Sequence, residues 1–176
     1  MLFDEDRETI SLYSDACNKG LGAYYSLSGE ALQQNSFSMK VAKDHLGQHI
    51  NILELRAIQA AFLLWAKVWS RKTITVHTDS EVAFWALTNH KAHGAAFYPL
   101  RHILLLASEY NIIIKPVWIA GKTNTIADAL SRFKWNTLAN LCPTWQFPYQ
   151  LTIFPTGFRD LSLPPLTHGQ NLSTSD

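Results

Sequence analysis

Four carboxylates stand in this chain at places where a charge needs a reason. Asp15 closes the alternating run TISLYSDA, and Glu54 lies inside NILELRAIQAA, within the apolar run of a helical pattern. Asp79 ends TITVHTD, and Asp128 falls in IADALSR. Most of their neighbours are apolar or small, so burial is expected, and an isolated buried carboxylate is either protonated or destabilising. Several can share one place as anions only with cations among them. Carboxylate oxygens are hard ligands that suit Mg²⁺ or Mn²⁺. Two such ions ~3.5–4 Å apart form the usual device for phosphodiester hydrolysis, one activating water and the other stabilising the leaving oxygen.

Each acid also has an ordinary use. Asp79 can cap the helix that follows it. Asp128 can favour the dipole of a first helical turn, and Asp15 can cap the turn at Asn18. Glu54 has few structural uses on the apolar side of a helix. The four together, at strand ends and helix starts, are the signal.

The elements that must position these acids follow from periodicity. Residues 9–16 alternate as a strand, and CNKG is a turn rich in Asn and Gly. A second strand spans 21–29, with a turn at Ser28-Gly29, and a weaker third spans 30–40, giving an antiparallel meander. Ile52, Leu55, Ile58, Ala61, Phe62, Trp65 and Val68 recur at helical spacing, so one long amphipathic helix is expected up to about 72. Strand 73–79, helix 80–90, a break at Gly94, helix 95–110, a β-branched strand ending near Trp118 and a final helix 124–135 follow. Asn124 or Thr125 is the expected cap of that last helix. The order βββαβααβα implies an α/β fold: a mixed five-stranded sheet, part antiparallel meander and part parallel strands, with helices on both faces.

The chain has 176 residues with 47% apolar content, enough for one domain plus an appendage. Its formal net charge is +1, so it is not a polycation, and binding to nucleic acid requires a local patch or a more basic partner. Two cysteines make no disulfide framework and suggest a reducing, intracellular setting. No apolar run reaches the ~18 residues of a membrane span. The acidic start MLFDEDRETI lacks a signal-peptide pattern and reads as a cut ahead of a strand, inside something longer. Residues 1–135 are expected to form the domain. Residues 136–176, rich in proline and aromatics, are expected to be an arm or linker with the last ten or so disordered, its aromatic portion too apolar to float free and packed on its own domain or on a neighbour.

LYSDACNKGLGAYY, NILELRAIQAA, VHTDSEVAFWAL and WIAGKTNTIADALSR together resemble the four blocks of a retroelement ribonuclease H domain, the kind that follows a reverse transcriptase. The likeness is strongest to DIRS-like retrotransposons, and Ty3/Gypsy elements share the ADALSR ending. It covers about residues 9–133. The resemblance implies the ribonuclease H fold and cleavage of the RNA strand of RNA–DNA hybrids, with two Mg²⁺ or Mn²⁺ ions and a covalently linked reverse transcriptase as partner. It implies that Asp15 and Asp79 sit centrally, flanking both ions. Glu54 would hold the ion on the leaving-group side, and Asp128 the ion that activates water. Ser80 matches a position touching the nucleic-acid backbone. Asn51 matches one reaching the minor groove, where 2′-hydroxyls distinguish RNA.

The chain also departs from its relatives. Their loop before the last helix often carries a histidine, whereas here it is WIAGKTN, where Lys122 offers a positive charge to phosphates or is a solvated loop lysine. The basic handle found in cellular enzymes is reduced to His90, Lys91 and His93, so affinity for substrate is expected to be weak without a polymerase domain. Trp65, Trp69 and Trp85 read as core or domain-contact residues, and Arg132 as a phosphate contact or a favourable charge at a helix end. The competing readings are a catalytically silent module of the same fold and another nuclease of that fold.

Overall fold

The computed structural model describes residues 7–27, 35–145 and 149–151. β1 (Thr9–Ala16), β2 (Gly20–Leu27) and β3 (Ser36–Lys40) form the expected antiparallel meander. α1 (Ile50–Trp65) carries the chain to β4 (Thr73–Thr78), which lies parallel to β1. α2 (Glu81–Asn89) and α3 (Phe97–Glu109) lead to β5 (Ile113–Trp118), parallel to β4. α4 (Thr125–Ser131), α5 (Trp135–Leu141) and β6 (Tyr149–Leu151) complete the described chain. The sheet order is β5-β4-β1-β2-β3-β6. Pro116 is tolerated in β5 because that strand is an edge.

Alternation decides which side chains each face receives. Ile10, Leu12, Leu21, Ala23, Phe37 and Met39 join Leu53, Ile58, Phe62 and Trp69 of the α1 segment in the main core, which α2 and α3 also enter. The opposite face carries a smaller core of Ala129, Leu130, Leu138 and Cys142 from α4 and α5. Helices therefore cover both faces, as expected. Trp65 and Trp69 are core residues, stacked edge-on around Tyr25, whereas Trp85 is more than half exposed.

Three boundaries differ from the sequence expectation. α1 stops at Trp65 rather than running to 72, because Trp69 turns back into the core and Arg71 takes a left-handed conformation, φ 62°, before β4. The expected helix 124–135 is two helices. Phe133, at φ 56°, ends α4 with the Lys134 N–H on the Ala129 carbonyl and the Phe133 N–H on the Leu130 carbonyl, a Schellman closure without glycine. The segment after 135, expected to be an arm, carries α5 packed through Leu138 onto α4, and β6 paired with Phe37–Met39 as a sixth strand. β3 starts at Ser36, and the expected strand start, the Ser28-Gly29 turn and the last ten residues lie outside the described residues. Among the described residues, no helix is long and apolar enough to cross a membrane.

Candidate active site

Asp15 arrives on β1, the central strand, paired with Gly22 of β2. β4, parallel to β1, ends beside it and delivers Asp79 one residue past the strand. Glu54 descends from the first turns of α1. Ligand oxygens of Asp15, Glu54 and Asp79 all lie within 4.8 Å of one another. Asp15 and Glu54 are each only 6% exposed.

The ordinary uses considered for these acids fall to other groups. Ser80, not Asp79, caps α2, its hydroxyl accepting from the Ala83 N–H at 3.2 Å. The turn after β1 closes through its own backbone, Cys17 N–H to the Gly20 carbonyl at 2.8 Å, without Asp15. Glu54 Oε1 accepts from the Ala16 N–H, while Oε2 is buried and has no hydrogen-bond partner among the described residues.

Burial is the main force on all three carboxyls. It raises Asp15 to about 6, with the charges of Asp79 and Asp128 adding to the rise and the Ser131 hydrogen bond opposing it. Glu54 is pushed well above the usual carboxylate range, first by burial and then by Asp15 and Asp79. Asp79 is raised by burial and by Asp128. Three acids so placed, one with an orphaned oxygen, fit a divalent cation: it would supply the missing partner and remove their mutual repulsion.

Asp128 stands apart from the triad. It is close enough for its charge to raise Asp15 and Asp79, yet its oxygens pair with Arg132 Nε at 2.6 Å and Lys134 Nζ at 3.2 Å. Arg132 thus has a carboxylate partner on its own helix. The other expected contacts make no described hydrogen bond to these acids. Asn51 donates its N–H to His49 Nδ1 at the start of α1. Lys122 is exposed in the 3-10 turn Gly121–Thr123.

Four residues shaping the site were not read from the sequence. Ser131 Oγ lies 2.5 Å from Asp15 Oδ2. A Cβ at Gly121 would come 2.7 Å from Asp79 Oδ2, so only glycine leaves that carboxylate its room. Asn124 does occupy the expected cap position of α4 but makes no side-chain cap bond; its Nδ2 donates to the Ser14 carbonyl at 2.8 Å and ties the start of α4 to the end of β1, a site role not read from the sequence. Lys134 joins Arg132 on Asp128. These partners lie as much as 116 residues apart, a separation without local signature. Beside the acids opens a groove of about 530 Å³ lined by Cys17, Asn18, Lys19, Arg132, Phe133 and Lys134.

No protein-family model and no curated protein sequence matches the chain. Solved structures do. Ribonuclease H1 from the halophilic archaeon Halobacterium salinarum superposes with a TM-score of 0.60 at 16% identity, over 73% of this chain and 98% of that one. The chain has the ribonuclease H fold. LC11-RNase H1 in complex with RNA/DNA hybrid matches with a TM-score of 0.58 at 18% identity, over 69% of this chain and 92% of that one. The foamy viral protease-reverse transcriptase in complex with RNA/DNA hybrid matches with a TM-score of 0.51 at 16% identity, over 76% of this chain and 20% of that one. The parallel β1–β4 pair brings Asp15 and the residue after β4, Asp79, close together.

Proposed function

We propose that this chain is a divalent-metal-dependent ribonuclease H that hydrolyses the RNA strand of RNA–DNA hybrids, within the reverse transcription of a retrotransposon and beside a linked reverse transcriptase domain. The observation that carries the reading is the convergence of Asp15, Glu54 and Asp79, with Glu54 Oε2 buried and unpartnered. Structures of the same fold hold RNA/DNA hybrids, and one of them is a protease-reverse transcriptase. These likenesses support the substrate class and the polymerase partner.

In this reading Asp15, Glu54 and Asp79 hold Mg²⁺ or Mn²⁺, two ions with Asp128 as a further ligand. When bound, such ions would supply a water nucleophile at neutral pH and charge neutralisation at the leaving oxygen. The protein's share is placement. β1 carries Asp15 and β4 ends one residue short of Asp79, while the Ala16 N–H holds Glu54 Oε1 and leaves Oε2 buried without a described hydrogen-bond partner. Lys19, Arg132 and Lys134 in the adjoining groove offer cations to a phosphate backbone, a local patch of the kind a chain of net charge +1 requires. Asn51, Ser80 and Lys122 are the remaining proposed substrate contacts. Ser80 combines that role with capping α2.

The test uses labelled RNA–DNA hybrid, RNA duplex and DNA duplex with Mg²⁺ or Mn²⁺. Cleavage of only the hybrid's RNA strand, abolished by Asp79→Asn, is the expected outcome. No cleavage at high protein concentration, with or without an added reverse transcriptase domain, would favour a silent binding module. Cleavage of branched DNA would favour another nuclease of this fold.

A further inference from the structure

We infer that Ser131 is the positioning residue of the acid cluster, its buried hydroxyl holding Asp15 in the orientation that binds a divalent cation. The inference rests on the metal-centre reading above and adds to it a residue outside the four acids.

Ser131 is completely buried, and its Oγ has two acceptors within reach, Asp15 Oδ2 at 2.5 Å and the Asp128 carbonyl at 3.0 Å. A hydroxyl has one proton to give. In a helix it ordinarily goes to the carbonyl three or four residues back, which here is Asp128. A carboxylate oxygen is the stronger acceptor, and the shorter of the two contacts, 2.5 Å against 3.0 Å, is the one to Asp15. One oxygen of Asp15 is then fixed, and the carboxylate cannot rotate freely within the cluster.

The hydroxyl is itself held by main-chain packing. A Cβ at Gly22 would lie 2.6 Å from the Ser131 nitrogen, and one at Gly20 would lie 2.1 Å from the Ser131 carbonyl oxygen. The two glycines let α4 press its backbone onto β2. The Cys17 thiol donates to the Ser131 carbonyl at 3.3 Å. The β2 backbone and Cys17 thus locate Ser131, and Ser131 locates Asp15. The same residue ties Asp15 to the helix that carries Asp128.

Partners of metal-binding carboxylates that hold their orientation typically change affinity by about 10–100-fold. The experiment measures Mn²⁺ binding by calorimetry on the full chain without nucleic acid, for wild type, Ser131→Ala and Ser38→Ala. Alanine keeps the helix, being its best former, and circular dichroism checks the fold. Ser38→Ala removes a comparably buried hydroxyl that donates to the Leu130 carbonyl at 2.6 Å, makes no described hydrogen bond to a carboxylate and takes no part in holding Ser131. The expected result is about 10-fold weaker Mn²⁺ binding in Ser131→Ala and wild-type affinity in Ser38→Ala. Equal affinity in Ser131→Ala and wild type would overturn the inference alone. Equal loss in both variants would overturn it too, by showing that helix packing is responsible. Wild-type protein that takes up no Mn²⁺ would overturn the reading of the site as a metal centre, and the inference with it.

Discussion

Glu54 Oε1 accepts the main-chain N–H of Ala16 at 3.2 Å, tying a helix-borne carboxylate to the residue that follows Asp15. The bond spans 38 residues and fixes the height of α1 over the strand end. It leaves the other oxygen, Oε2, buried without a described hydrogen-bond partner.

Glu54→Gln keeps an acceptor for Ala16 and removes the charge. Metal-free protein should gain stability at pH 8, since the charged form is what burial and the neighbouring acids oppose. For a chain of this size each kcal/mol raises the melting temperature by about 2–4 °C. Thermal unfolding with a chelator should show the gain, and hybrid cleavage should be lost. A melting temperature below wild type would contradict this account of Glu54.

The raised carboxyls set the pH dependence of the metal-free protein. Asp15 stands near 6 in the folded state against 3.8 for a free side chain, and Glu54 and Asp79 are raised as well. Between these values the folded state binds more protons than the unfolded one, so stability falls as pH rises. Their contribution is full below about pH 4 and is lost through pH 6 and above. At about 1.4 kcal/mol per pKa unit, Asp15 accounts for about 3 kcal/mol of that loss. Chemical denaturation with chelator at pH 5 and pH 8 should show the lower stability at pH 8. Millimolar Mg²⁺ or Mn²⁺ should reduce the difference by binding only the folded protein.

Gly121→Ala should separate stability from activity. The added Cβ would meet Asp79 Oδ2, the end of a side chain that can swing aside at little cost to the fold. The displaced oxygen belongs to the acid cluster, where a shift of about 1 Å costs on the order of 100-fold in rate. Near-wild-type melting with strongly reduced hybrid cleavage is the expected pair of results.

Asp128→Asn should leave the fold intact. Its ion pairs with Arg132 and Lys134 are half exposed, and such pairs contribute about 0–1 kcal/mol. Hybrid cleavage should nevertheless fall steeply, because the proposed second ion loses a ligand. Full activity in Asp128→Asn would confine the reacting centre to the other three acids.

The sequence by itself determined the strands of period two, the amphipathic α1 and the four acids, because alternation, helical spacing and a charge among apolar residues are local signals. TISLYSDA, TITVHT and IIKPVW become strands as their β-branched and alternating residues require. Only the tertiary structure decided that Asp15, Glu54 and Asp79 meet while Asp128 turns to Arg132 and Lys134, since that depends on how α4 seats against β2. Ser131, Gly121 and Asn124 gained their roles in the same way, from partners distant in the chain. The helix break at Phe133 and the joining of α5 and β6 to the domain were hidden for a related reason. A left-handed non-glycine turn has no residue signature, and an aromatic, proline-rich segment, though too apolar to float free, lacks a period that would say whether its own domain or a neighbour receives it.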